Sequence, residues 1–207
     1  MGINSSHYAS EYYNWELYML KIFYKKKLER KLSEIRPRLY RLAISWCSDA
    51  MLADDLVQET LNKALLKHSQ LKDFDLLNSW VFKILHNCWM QHLRSKKPSL
   101  DIDNIELLSN HSPEKQLSEM HIVDRVRKAV EMLPLNQRQV ITLVDLEDNS
   151  YQQVSEILDI PIGTVMSRLS RARNQLKNRL IGVSIEQHSK TTPKTNQNTN
   201  RHLQRLV

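Results

Sequence analysis

The chain has 207 residues, with 30 lysines and arginines against 23 aspartates and glutamates, for a formal net charge of +7. That length allows one large or two small domains, and the positive balance favours a polyanionic partner, although a basic surface also serves solubility. Only three glycines and six prolines punctuate it, and β-type alternation is hard to find, so the expected fold class is all-α, with two helical domains, a flexible linker and a helix-turn-helix in the second.

Residues 1 to about 13 are polar and expected to be loose. From Trp15 the pattern turns helical, with Leu17, Leu20, Phe23 and Tyr24 interrupted by Lys21 and the run Lys25 to Lys27. Residues 1–27 are an N-terminal extension, whose helical part is either a docking helix or a continuation of the next helix. The first domain spans 28–97. Leu28, Leu32, Ile35, Leu39, Leu42 and Trp46 step by fours and threes, an inward stripe that Pro37 should kink or restart. Ser48-Asp49 marks a break, followed by an amphipathic helix over 54–66 with Leu56, Val57, Leu61, Ala64 and Leu65 inward and Asp55, Gln58, Glu59 and Asn62 outward. Residues 67–79 form a loop anchored by Phe74, Leu76 and Leu77. A strong helix over 80–94 then buries Val81, Ile84, Leu85, Cys88 and Trp89, exposes Lys83, Asn87, Gln91 and Arg94, and runs into Lys96 and Lys97. Aromatic residues beside cations suit single-stranded nucleic acid, though Trp80 is also a natural core anchor.

Over 98–117 the helical pattern fades and Asp101, Asp103 and Glu106 make the chain acidic. This reads as the linker. The second domain, 118–182, opens with the stripe Ile122, Val126, Val130 and Leu133, halted by Pro134, and continues in a helix over 136–146. The most informative stretch is Ser150 to Leu180. Ser150 and Gln153 form a capping box, and Val154, Ile157 and Leu158 share one face. Pro161 and Gly163 then supply a turn, and Thr164 caps a second helix whose inward stripe is Val165, Leu169, Ala172 and Leu176. Arg168, Arg171, Arg173 and Lys177 point elsewhere. Two helices so joined, the second basic, fit the DNA major groove, with Met166, Ser167, Ser170 and Arg171 as the groove-facing set. An ordinary helical hairpin with a solvated basic face gives the same pattern. Residues 183–207 are a polar, low-complexity tail expected to be disordered.

Other function classes find little support. There is no Gly-rich phosphate loop, no HExxH and no nucleophile elbow, so neither an enzyme nor a cofactor is expected. His86, Cys88 and His92 do not share one helical face and lack a fourth ligand, which argues against a metal. Cys47 and Cys88 are expected to be buried thiols, with a disulfide left open. No apolar run is long enough to span a membrane, and the N-terminal apolar residues are too interrupted for a signal peptide. A cytoplasmic protein without stable membrane insertion is the expectation.

The order of segments resembles bacterial RNA polymerase sigma factors of the extracytoplasmic-function type in the sigma-70 family. Leu39 to His68 is similar to that family's core-polymerase-binding helices and Ser79 to Lys97 to its strand-melting, minus-ten segment. Leu133 to Arg173 is similar to the domain that reads the minus-thirty-five element. Covering about 28–182, the resemblance implies core RNA polymerase and promoter DNA as partners, and an anti-sigma factor is expected from the family. It implies polymerase docking by Asp55, Gln58, Glu59 and Asn62. It places Asn87 where the family holds a flipped-out base, with Phe82 and the loop 74–79 lining that pocket and Lys83, Arg94, Lys96 and Lys97 on phosphates. It makes Thr164, Met166, Ser167, Arg168, Ser170 and Arg171 the minus-thirty-five contacts, and sends the acidic linker through the polymerase toward its RNA channel. Met166 and Val144 stand where relatives carry basic residues, which implies a shifted preference or more reliance on DNA shape. The competing reading is a free-standing helix-turn-helix regulator that binds duplex without polymerase, and a further one is a helical RNA or polymerase adaptor.

Overall fold

A computed structural model describes residues 5–96 and 122–189. The expected linker over 98–117, with Lys97, Asp101, Asp103 and Glu106, lies outside them, as does the tail beyond Ser189.

The described residues form seven α-helices and no strand. In the first block α1 spans Ser5–Cys47, α2 Ala50–Leu66 and α3 Leu77–Lys96. The α1 stripe is buried as its spacing requires: Leu28, Leu39 and Trp46 are wholly enclosed and Leu32, Ile35 and Leu42 nearly so. Two expectations change here. Residues 5–13, read as loose, belong to α1, and Pro37 lies inside that helix without ending it. Ser48 adopts a left-handed backbone, which turns the chain. Asp49 then accepts from the backbone N–H groups of Met51 and Leu52, at 2.9 and 3.1 Å, so α2 starts at Ala50, four residues before the expected start at 54. Such a cap typically contributes about 1 kcal/mol.

In the second block α4 spans Ile122–Glu131 and α5 spans Leu135–Ile141, running on into a π-helical turn at Thr142–Leu146. Then α6 spans Tyr151–Leu158 and α7 Ile162–Ser189, so residues 183–189, expected to be disordered, continue α7.

The two blocks pack against each other, and α3 is enclosed from both sides. Val81, Leu85 and Cys88 belong to the expected inward stripe, but Phe82, His86 and Met90 are buried as well. The latter face meets α5 and α6. His86 Nδ1 lies 3.2 Å from Gln139 Nε2, and its ring stands edge-on to Trp46. The Trp46 indole N–H donates to Thr142 Oγ1 at 2.9 Å. Arg38 and Arg41 of α1 both pair with Glu147, whose side chain is only 1% exposed.

Arg138 is the centre of this seam. It is 1% exposed, and its guanidinium donates to the carbonyls of Ser45 and Trp46 at the end of α1, to Ser48 Oγ, and to the carbonyls of Glu131 and Leu133 at the end of α4. One cation thus serves two helix C-termini, where unpaired carbonyls and the helix dipole both favour positive charge. Cys47 and Cys88 are free thiols, and burial pushes both above the usual thiol range.

Candidate nucleic-acid interface

The turn between α6 and α7 is set by local chemistry. The N–H of Gln153 donates to Ser150 Oγ at 3.2 Å, and the N–H of Ser150 donates to Gln153 Oε1 at 2.8 Å. The capping box read from the sequence is therefore present. Asp159 ends α6 in a left-handed conformation, φ 55°. The Ser155 hydroxyl donates to the Ile160 carbonyl at 2.6 Å and pins the turn. Two expectations are corrected. Gly163 lies inside α7 and has no positive φ; the left-handed position is filled by Asp159, a residue type that tolerates it. Thr164 is not the cap either: α7 begins at Ile162, and the N–H of Thr164 already donates to the Pro161 carbonyl at 2.8 Å.

Val165, Leu169 and Ala172 are buried, fixing α7 to its block. Met166, Ser167, Ser170 and Arg171 are exposed on its opposite face, and Thr164 and Arg168 are half-buried. Exposed apolar surface from Ile162 and Met166 sits at the leading end, so that end is apolar and neutral and Arg171 supplies charge one turn later. Arg173 is committed elsewhere, with a forked pair to Asp145 at 2.6 and 3.2 Å that raises its pKa further. A helix with this outer face can offer van der Waals contact and hydroxyls to base edges, and a cation to phosphate.

On α3, Lys83, Asn87, Arg94 and Lys96 are exposed, whereas Lys97 lies outside the described residues. Asn87, Gln91 and Arg94 line one wall of an open cleft of about 500 Å³, and Asn136, Asp159 and Arg168 line the other. His86 lies beneath; burial, then Arg94, lowers its pKa to about 4, so at neutral pH it is uncharged. Phe82 does not join this surface. It is fully buried, with the Arg38 guanidinium of α1 5.5 Å from its ring centre.

On α2, Asp55, Gln58, Glu59 and Asn62 form an exposed face, as expected, with Met51 and Leu66 exposed at its two ends. Glu59 also pairs with Lys63 at 2.6 Å, and Lys63 donates to Gln91 on α3. A polar strip with apolar ends suits a protein partner. No group of three metal-ligating side chains occurs among the described residues, and no helix among them is long and apolar enough to cross a membrane.

Two sets of residues give no functional signal in the sequence. Arg138, Thr142 and Glu147 stand out in no pattern of the sequence yet build the seam. Tyr24 and Lys27 read as part of an undecided extension yet touch the loop between α2 and α3.

Known proteins share this arrangement. Residues 32–98 match the family model described as Sigma-70 region 2, and residues 124–176 match Sigma-70, region 4. The chain is 33% identical over 141 residues to the ECF RNA polymerase sigma factor EcfG of Rhodopseudomonas palustris, covering 68% of this chain and 77% of that protein. It is 30% identical over 141 residues to ECF sigma factor SigM of Bacillus subtilis, covering 67% and 86%. Among solved structures it resembles the sigma factor RpoE of Bartonella quintana, in complex with the anti-sigma factor NepR, with a TM-score of 0.61, 34% identity, and coverage of 75% of this chain and 97% of that one.

Proposed function

The chain belongs to the extracytoplasmic-function sigma factors of the sigma-70 family, proteins that direct promoter-specific transcription, and from that premise we propose how its parts divide the work. Residues 28–97 bind core polymerase and hold the melted minus-ten strand, residues 118–182 read the minus-thirty-five element, and 98–117 link them. Asp55, Gln58, Glu59 and Asn62 dock on the polymerase. Asn87 accepts an extruded base through its amide, while Lys83, Arg94 and Lys96 hold phosphates. Met166, Ser167, Ser170 and Arg171 enter the major groove, with Thr164 and Arg168 at its margin. The protein works in the cytoplasm and catalyses nothing: it binds the open strand better than duplex, and that difference shifts the melting equilibrium.

The observation that supports this most directly is the exposure of Lys83, Asn87 and Arg94 on a helix otherwise enclosed from both sides. Exposed polar residues on so buried a helix mark the face left for a ligand.

In the arrangement described, Asn87 and Arg168 line the same cleft. Promoter elements about 25 base pairs apart are separated by roughly 85 Å at 3.4 Å per base pair. The two blocks therefore part when the promoter is engaged, breaking the Arg38 and Arg41 pairs with Glu147 and the Trp46–Thr142 bond. The 97–121 segment that joins α3 to α4 reaches about 85 Å if fully extended, which permits the separation. The Bartonella relative was solved with an anti-sigma factor, and a protein of that kind is the expected inhibitor of this chain.

The test is reconstitution with bacterial core RNA polymerase, scored by co-elution and by sequencing transcript 5′ ends from genomic DNA. New, discrete start sites are expected. Salt-sensitive duplex binding by the protein alone, with no co-elution, would instead support the free-standing regulator.

A further inference from the structure

The helical extension ahead of the sigma-70 region 2 match carries contacts of its own. That match begins at residue 32, and α1 continues well ahead of it. The Tyr24 hydroxyl donates to the Leu71 carbonyl at 2.9 Å and lies 3.4 Å from that of His68. The Tyr24 ring packs on Phe74 at 5.0 Å between centroids, tilted by 50°. The Lys27 ammonium sits 4.4 Å above the same Phe74 ring.

These contacts fall on the loop between α2 and α3. Leu71 and Leu77 anchor its two ends in the core. Between them, Asp73 accepts from the N–H of Asp75 at 2.9 Å and closes a 3-10 turn over Phe74–Leu76. Phe74 is half-buried, and its ring contacts come from Tyr24 and Lys27 of the extension. A ring-on-ring contact and a cation over a ring each restrict orientation as well as position.

We propose that the end of the N-terminal extension is a specificity brace: Tyr24 and Lys27 are positioning residues that fix the Phe74 loop, and through it the choice of base in the minus-ten strand. The proposal rests on the reading above that the loop over 74–79 lines the base pocket. The brace acts at a distance from the strand. Tyr24 holds the backbone at Leu71, Lys27 and Tyr24 hold the Phe74 ring, and the pocket inherits their geometry. A loosened loop admits more than one base, so selectivity falls before binding does.

The experiment uses holoenzyme assembled from core polymerase and full-length protein, transcribing a promoter library randomised across the minus-ten element. Tyr24→Phe removes only the hydroxyl and its bonds to the Leu71 and His68 carbonyls, Lys27→Met removes only the cation, and Tyr24→Ala removes the ring. Each is expected to lower minus-ten base selectivity about two- to tenfold, the range of a single polar contact, with co-elution on core and minus-thirty-five preference unchanged. A merely structural role would lower total activity and leave base preference alone, and that result overturns the proposal. Phe74→Ala separates the two levels. If it alters base preference while the Tyr24 and Lys27 variants do not, the brace is wrong and the pocket stands. If none of the four alters base preference, the assignment of the pocket to this loop fails as well.

Discussion

Two polar regions of this molecule look alike along the chain and differ entirely in the structure. In the seam between the blocks, Arg138, Glu147, Thr142 and His86 are buried and bonded to named partners. On the outer faces of α2 and α7, Asp55, Gln58, Met166, Ser170 and Arg171 are exposed. The seam uses polar groups to hold the protein to itself. The faces keep theirs for other molecules. A buried polar group without a partner costs more than an exposed one saves, so the seam should be fragile toward substitution and the faces tolerant in stability but sensitive in function.

The largest effect that tests this contrast is at Arg138. Arg138→Met strands carbonyls at the ends of both α1 and α4. A loss of about 3–5 kcal/mol in urea unfolding is expected; a loss comparable to that of an exposed-face substitution would erase the distinction between seam and face. Next is His86. Its pKa of about 4 in the fold lies below the ordinary value near 6.5, so the unfolded chain takes up a proton first as pH falls. Its contribution is complete above pH 6.5, declines between 6.5 and 4, and amounts to at most about 3 kcal/mol. Thermal melts at pH 7 and pH 5 should diverge more for the wild type than for His86→Gln. Parallel behaviour would show that the ring is not enclosed as described.

On the functional side, Asn87→Ala should cut permanganate-detected promoter opening roughly tenfold to a hundredfold, the scale of a lost base-capture contact, with polymerase co-elution retained and melting temperature nearly unchanged. An equal fall in co-elution would remove the base-capture role. The smallest effect belongs to Gly163. A Cβ there meets nothing within 4 Å, and the backbone is helical. Gly163→Ala should therefore stabilise α7 by up to about 1 kcal/mol, read as a higher melting temperature; a lower one would mean that the residue needs a freedom the fold does not display.

What was legible in advance followed the range of the interactions. The α1 stripe and the Ser150–Gln153 box rest on contacts three and four residues apart, and both are where periodicity places them. The outward set on α2 is legible for the same reason. Phe82 was not: it read as one more aromatic beside the cations of α3, and it is fully buried with Arg38 of α1 over its ring. Arg138 gave no signal either: its partners at Ser45 and Trp46 lie more than ninety positions away. Gly163 misled because a glycine two residues after a proline reads as part of a turn, while here Asp159 took the left-handed position. Arg173 read only as one more cation off the inward stripe, and only the fold brings Asp145 to it.

The two cysteines carry a last consequence. The thiolate is the form that reacts with peroxide or disulfide, and burial holds both Cys47 and Cys88 in the protonated state. Oxidation at these two thiols is thereby slowed, while the exposed thioethers of Met51 and Met166 stay open to it.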